Sequence, residues 1–272
     1  MSSPSDPRTD RSSEPAAVDR PCIVLAHPRT GSSLLMQTLA LLGMPWIGRV
    51  RRDDLGEDAN PRGYYEDPEV LARGLTVGEV ARVGPVDGRA VKIGLANMTA
   101  PGRIGQWRAW EAGGARILVP FRHPLESAVS QRAFTPRMAE PRALFEAVTA
   151  FLYGHARDHA ALASILTREV PALAERTTPI AYTRHLEDPA GFVEDVRRHA
   201  GLPADPARQA AAVANVEAAL HRVEAAALPD EQREWYERSP ARAVHERLCA
   251  DARPWDGIAA AAAAGALRAS GG

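Results

Sequence analysis

Lysine is almost missing from this chain. Of its 33 lysine and arginine residues only Lys92 is a lysine, and every other one is an arginine. A compact ammonium and a wide planar guanidinium are different tools. A lone lysine among arginines therefore marks either a post that arginine cannot fill or a chance survivor, and composition leaves both open. Cysteine is scarce too: Cys22 and Cys249 lie far apart with no CxxC spacing, so a reduced, cytoplasmic setting is expected. Long apolar runs are absent. The longest candidate, from Leu34 to Met44, is broken by Gln37 and Thr38, which excludes a bilayer-spanning helix there. A charge excess is absent as well. The formal net charge is −1, so no global field favours nucleic acid or an anionic membrane, and an anionic ligand must find a local cluster of cations. The first twenty residues have no apolar core, which argues against a secretory signal; their Ser, Pro, Asp and Arg content predicts a disordered arm over 1–20. Hairpin turn signals and internal repeats are also absent.

What remains is the material of a soluble α/β protein. The chain has 272 residues, 45% hydrophobic and 25% charged, enough for one large domain or two small ones. Short apolar runs at Pro21–His27, Ala90–Gly94, Ala115–Phe121 and Pro179–Thr183 read as strands. Helical patterns alternate with them: Ser32–Leu42 closed by Gly43, a helix opened by Asp67 and Pro68, another stopped by Gly113 and Gly114, a long one over 141–168, one from Asp188 to Gly201, and an alanine-rich one over 205–227. Residues 45–63 read as loop with a solvated charge run. The alternation predicts an α/β fold with a mostly parallel central sheet covered by helices on both faces. A single domain is expected over 21–256, followed by a flexible tail over 257–272. In such folds ligands bind beyond the carboxyl ends of the strands, so the residues after His27, Gly94 and Phe121 should meet in one cleft.

The first of these strand ends carries "AHPRTGSS". In the register of a nucleotide-phosphate loop, G-x-x-x-x-G-K-[ST], the first glycine is Ala26 and the lysine is Ser32. Gly31, Ser32 and Ser33 still place backbone N–H groups at a helix N-terminus, which suits an anion. Ser33 adds a hydroxyl, and the cation has moved into the loop as Arg29. The third strand leads into "FRHPLESAVS". There Arg122 can fork onto a phosphate, and Ser130 follows about two turns along a helix opened by Pro124. Taken separately, Arg122 pairs as readily with Glu126. Taken together, the two segments describe a ligand with phosphate at both ends.

These segments resemble the two nucleotide-binding signatures of sulfotransferases that use 3′-phosphoadenosine 5′-phosphosulfate (PAPS). The likeness spans residues 21 to 203 and includes "AYTRHLEDPAGFVEDVRRHAGLP", similar to a strand-to-helix passage of that family. It implies a P-loop-like architecture and metal-independent sulfuryl transfer to a hydroxyl or amine of a small-molecule or carbohydrate acceptor. It also implies that Arg29, Thr30, Gly31, Ser32 and Ser33 hold the 5′-phosphosulfate, and that Arg122 and Ser130 hold the 3′-phosphate. PAPS has no γ-phosphate, so a loop without the lysine is expected.

For catalysis the resemblance implies cations at the bridging oxygen, with Arg29 and Lys92 the candidates, and a base for the acceptor proton. "KIGL" at Lys92–Leu95 matches the lysine of a family motif and lacks its histidine. Glu66 in "GYYEDP" is the candidate base, with Asp67, which also reads as a helix cap, the second choice. His27 reads as a spacer at the strand end. His155 and His159 read as a packed or solvated i,i+4 pair, and Tyr64, Tyr65 and Trp107 as pocket or core aromatics. Two other readings stay open. A small-molecule kinase would need ATP and Mg²⁺; a non-catalytic nucleotide binder would turn Glu66 away from the loop.

Overall fold

A computed structural model describes residues 19–51, 64–75, 82, 84–132, 141–216, 225–251 and 253–267. The strands in chain order are β1 Cys22–Ala26, β2 Arg49–Arg51, β3 Tyr64–Glu66, β4 Ala90–Gly94, β5 Arg116–Phe121 and β6 Thr177–Ala181. Four of them form a parallel sheet in the order β4-β1-β5-β6. Every residue of β1 is buried, as expected of a central parallel strand covered on both faces. Alternate side chains feed two cores. Ile23, Leu25, Val91, Ile93, Ile117 and Val119 meet Val148, Leu152, Leu162 and Leu166 of the long helix Pro141–Arg168. Cys22, Val24, Ala90 and Leu118 meet Leu35, Met36 and Leu39 of the helix Ser32–Leu41, and Phe192, Val193 and Val196 of the helix Pro189–Ala200. The expected α/β architecture, with helices on both faces and a strand–loop–helix unit of the P-loop kind, is what the chain forms.

The β1–β5 ladder stops at Val24↔Leu118, whereas β5 continues to Phe121 against β6 alone. Pro120, which has no N–H to donate, lies beyond the last β1 partner. Pairing with β1 has ended there, and the loop after β1 and the segment after β5 both line one cavity.

Three expectations need correction. Residues 45–63 are not all loop: Arg49–Arg51 pair antiparallel with Tyr64–Glu66 in a two-stranded sheet. Strands of three residues are too short to show an alternating pattern. Gly48 takes a φ of 118°, and a Cβ there would sit 2.3 Å from the Glu66 carbonyl carbon, so glycine lets the two backbones close. The stretch expected to fray from 257 contains most of a helix, Pro254–Ala263, with Trp255, Ile258, Ala259 and Ala261 buried. An alanine run is a strong helix former, and its flanking Trp255 and Ile258 give it something to bury. The helix expected over 205–227 ends sooner, as Pro206–Ala214, with a separate 3₁₀ turn at Ala225–Ala227. Of the expected arm over 1–20, residues 1–18 lie outside the described residues, as do 268–272 of the expected tail. The last strand begins at Thr177, and its Pro179 is tolerated because β6 is at the sheet edge.

Candidate active site

The loop after β1 is fixed by its own residues first. The Thr30 hydroxyl donates to the His27 carbonyl at 2.8 Å, which closes the turn. Arg29 takes a φ of 64° and Gly31 a φ of 83°, the left-handed region that a non-glycine residue seldom enters. A Cβ on Gly31 would lie 2.2 Å from the Tyr182 ring, so the loop passes directly under that ring and glycine is required. Gly31 also caps the helix Ser32–Leu41 without a side-chain hydrogen bond, and no acid stands in the first turn. The N–H groups at this terminus and the positive end of the helix dipole are a natural anion seat.

The turn after β5 reaches the same place. Arg29 donates from Nε to Ser130 Oγ at 3.1 Å, and Ser127 Oγ donates to the Arg29 carbonyl at 3.3 Å. Both serines stand on the helix Pro124–Arg132, so the two sequence motifs, about a hundred residues apart, touch. Arg122 is buried. Its Nε donates to Glu126 at 2.7 Å, and its guanidinium lies 4.7 Å from the centre of the Tyr182 ring. The pairing with Glu126 that the sequence allowed is present, and it orients Arg122 at the edge of the cleft. Burial lowers the Arg29 pKa from its usual value; a nearby Tyr64 opposes this, and the Arg122 charge adds to it. Two guanidiniums held close in a buried setting make a site that favours an anion.

Lys92 comes from β4 on the other side of the loop. It is 3% exposed, forms an ion pair with Glu66, and donates to Ser33 Oγ at 3.4 Å. The ammonium that the loop lacks in sequence therefore reaches the start of the loop helix from the neighbouring strand. Parallel pairing sets this up by placing Lys92 opposite Val24. Glu66 sits at the end of β3, next to Asp67. Asp67 itself is committed elsewhere. It accepts from the N–H groups of Glu69 and Val70, both at 3.1 Å, and pairs with Arg82. The Arg82 hydrogen bond, with help from the cap, holds its carboxyl below the usual range. Asp67 is a cap, as its position before Pro68 suggested.

A cavity of about 670 Å³ joins these groups. Its lining includes Arg29, Gly31, Ser32, Ser33, Tyr64, Glu66, Lys92, Arg122 and Ser130. Of the sequence candidates for the nucleotide site, only Thr30 is not among the lining residues, its hydroxyl being turned to His27. The chain is similar to two solved bacterial structures. One is the sulfotransferase from Alicyclobacillus acidocaldarius, with a TM-score of 0.42 at 17% identity, covering 76% of this chain and 98% of that one. The other is the sulfotransferase domain from the Synechococcus PCC 7002 olefin synthase, with a TM-score of 0.42 at 16% identity, covering 85% of this chain and 98% of that one. No protein-family model matches the sequence, and no curated protein does.

Sequence reasoning missed Tyr182, which lies just past β6 and stacks on Arg122. The rule that residues after parallel strands face the cleft would have found it had it been applied to the fourth strand. The other aromatics divide. Tyr64 lines the cavity, Tyr65 packs on Trp46 at 5.2 Å, and Trp107 is core, its indole donating to the Met98 carbonyl at 2.9 Å. No described helix is long and apolar enough to cross a membrane.

His155 and His159 are buried and stack at 4.2 Å, and His27 packs on His155 at 5.0 Å. Burial pushes His27 down to about 3 and His159 down to about 4, and holds His155 well below its usual value. The folded protein keeps these imidazoles neutral, whereas the unfolded chain protonates them near pH 6.5. Their contribution to stability is therefore complete above pH 6.5 and is lost as pH falls toward the folded values. Thermal unfolding followed from pH 7 to 5 should show a falling midpoint, with each such histidine contributing up to about 1.4 kcal/mol per pH unit inside its window. His159→Leu should flatten the slope. An unchanged slope would mean that these rings are not held neutral.

Proposed function

We propose that the protein is a sulfotransferase that uses PAPS as donor and a hydroxyl or amine compound as acceptor. The observation that carries this reading is the Arg29–Ser130 hydrogen bond at 3.1 Å. It brings the two candidate anion-binding motifs into contact on the lining of one cavity, which supports a ligand carrying phosphate at both ends. The cavity volume is of the size that holds a small-molecule ligand.

Gly31, Ser32 and Ser33 would receive the 5′ end at the helix N-terminus, and Arg122 and Ser130 the 3′-phosphate. The donor, when bound, supplies the sulfuryl group and departs as 3′-phosphoadenosine 5′-phosphate (PAP). Glu66 takes the proton from the acceptor as its oxygen or nitrogen bonds to sulfur. Arg29 and Lys92 place positive charge where the oxygen between phosphorus and sulfur gains electrons as its bond to sulfur breaks. A non-catalytic binder would have Glu66 turned from the loop. Glu66 instead lines the cavity, paired with a lysine that reaches Ser33.

The test is titration of the full chain with PAP, AMP and Mg·ATP by calorimetry. PAP should bind about 10- to 100-fold more tightly than AMP, the worth of charged hydrogen bonds to one phosphate. Arg122→Ala should remove the difference while leaving AMP affinity in place. Equal wild-type affinity for PAP and AMP sinks the reading, and tighter binding of Mg·ATP would point to phosphoryl transfer.

A further inference from the structure

The two cysteines of the chain meet opposite surroundings. Cys22 is buried in β1, and burial pushes its thiol up to about 12, which leaves it inert. Cys249 is exposed, near the end of the helix Pro240–Ala250. Exposure alone does not make a thiol a site. What distinguishes Cys249 is the pair of groups lined up behind it. His245 precedes it by one turn on the same face of the helix, with Nε2 3.5 Å from Sγ. The other ring nitrogen, Nδ1, lies 3.0 Å from the hydroxyl of Tyr236, which stands on the preceding helix, Asp230–Glu237. With its proton on Nδ1, the ring donates to the phenol oxygen and turns a lone pair on Nε2 toward the thiol. Nucleophile, base and orienting group therefore stand in sequence, as in activated nucleophiles generally.

Local charge does not ionise this thiol. Burial raises its pKa, so its proton must be taken at the moment of attack. His245 is in the right state to take it. Burial, helped by His123 and His159 and opposed by Glu126 and Glu246, pushes the ring down to about 4, and it is neutral at ordinary pH. A ring of such low basicity holds a proton only briefly and gives it up to a departing sulfur.

The thiol opens on a second cavity, of about 630 Å³, a size that admits small molecules. This cavity runs along β6, the edge strand of the sheet, and Phe121, Ile180, Leu248 and Trp255 are the buried apolar part of its lining. It shares no lining residue with the cavity around Arg29 and Lys92, so chemistry here does not depend on the sulfotransferase reading.

From this geometry we infer that Cys249 is a thiol–disulfide exchange site, at which His245 takes the thiol proton as Sγ attacks a low-molecular-weight disulfide entering the cavity. The new S–S bond forms as the disulfide's own S–S bond breaks. The displaced sulfur leaves as a thiolate and collects the proton from His245. Cys249 is oxidised to a mixed disulfide, and half of the small disulfide is reduced to a thiol. An exposed mixed disulfide of this kind is labile, so a reducing dithiol restores the free cysteine.

The experiment treats the full, reduced chain with excess glutathione disulfide and follows the adduct by intact mass and peptide mapping between pH 5 and 8. One glutathionyl group should appear on Cys249, leave on treatment with dithiothreitol, and be absent from Cys22 until the chain is unfolded. N-acetylcysteine, a thiol without a neighbouring base, should gain about tenfold in rate per pH unit as its thiolate fraction grows. The folded protein should gain less than about threefold per unit, because His245 stays neutral across the range. His245→Gln should slow the reaction about tenfold or more at pH 6 and restore the steep dependence. Tyr236→Phe keeps the ring and removes the hydroxyl that orients the base; it should slow exchange about threefold or more. A tenfold-per-unit slope in the wild type, an adduct on Cys22 of the folded chain, or rates unchanged in both variants overturns the inference.

Discussion

Glu66→Gln should bind PAP as the wild type does and turn over about 100- to 10,000-fold more slowly, the usual worth of a positioned base. Glutamine has the same shape and keeps a carbonyl oxygen for Lys92, so the cavity should survive. What it loses is the ability to take a proton. The effect should fall on kcat rather than on nucleotide affinity, because Glu66 stands on the β4 side of the loop and the residues proposed to hold the phosphates stand on the loop itself and beyond β5. Initial rates of PAP release with a working acceptor, alongside PAP titration, separate the two. Turnover within about threefold of wild type would remove Glu66 from the chemistry and turn attention to His27, Asp158 and His185, which also line the cavity and can accept a proton.

Lys92→Met should cost about 3–5 kcal/mol of stability, because it strands the buried Glu66 carboxylate without its ammonium. It should also abolish turnover, since Ser33 and the loop helix lose the one cation delivered from β4. Lys92→Arg should rescue neither effect well: a planar fork does not fit an enclosure built around a point charge. Pairing Lys92→Met with Glu66→Leu should recover most of the stability and none of the activity, as replacing a buried ion pair by packed apolar groups is often neutral. Denaturant midpoints read at constant m-value check this. A loss below about 1 kcal/mol for the single change would mean that the pair is wet and weak.

Parts of this molecule are legible in the chain because they depend on neighbours in sequence. Asp67 with Pro68 and Asp188 with Pro189 open helices, and Gly201 closes one in a left-handed turn. The long helix falls on Pro141–Arg168, the span its apolar spacing gives. The phosphate loop is equally local: strand, glycine turn and helix follow one another. The features that escape are made by distant partners. β2 has three residues and exists because Tyr64–Glu66 runs beside it. The helix at Pro254 packs on the long helix, and its Trp255 donates to the Thr177 carbonyl of β6, partners distant in sequence; an alanine run alone reads as filler. In the site, the residue types of Arg29, Arg122 and Ser130 are readable. The Arg29–Ser130 bond is not, since it depends on β1 and β5 being neighbours. Lys92 meeting Ser33 depends likewise on the β1–β4 register. Composition left the lone lysine ambiguous between task and accident; its burial against Glu66 gives it a task.

That single enclosed lysine makes the chain an unusual object for amine chemistry. Succinimidyl esters and aldehyde cross-linkers should find almost nothing to modify on the folded protein beyond its terminal amine. A protease that cuts only after lysine has one bond to attack, and that bond lies inside β4, a buried strand at the end of the sheet. Its rate of cleavage therefore counts openings of the sheet around β4, and any molecule that seats against the loop should lengthen the survival of the intact chain.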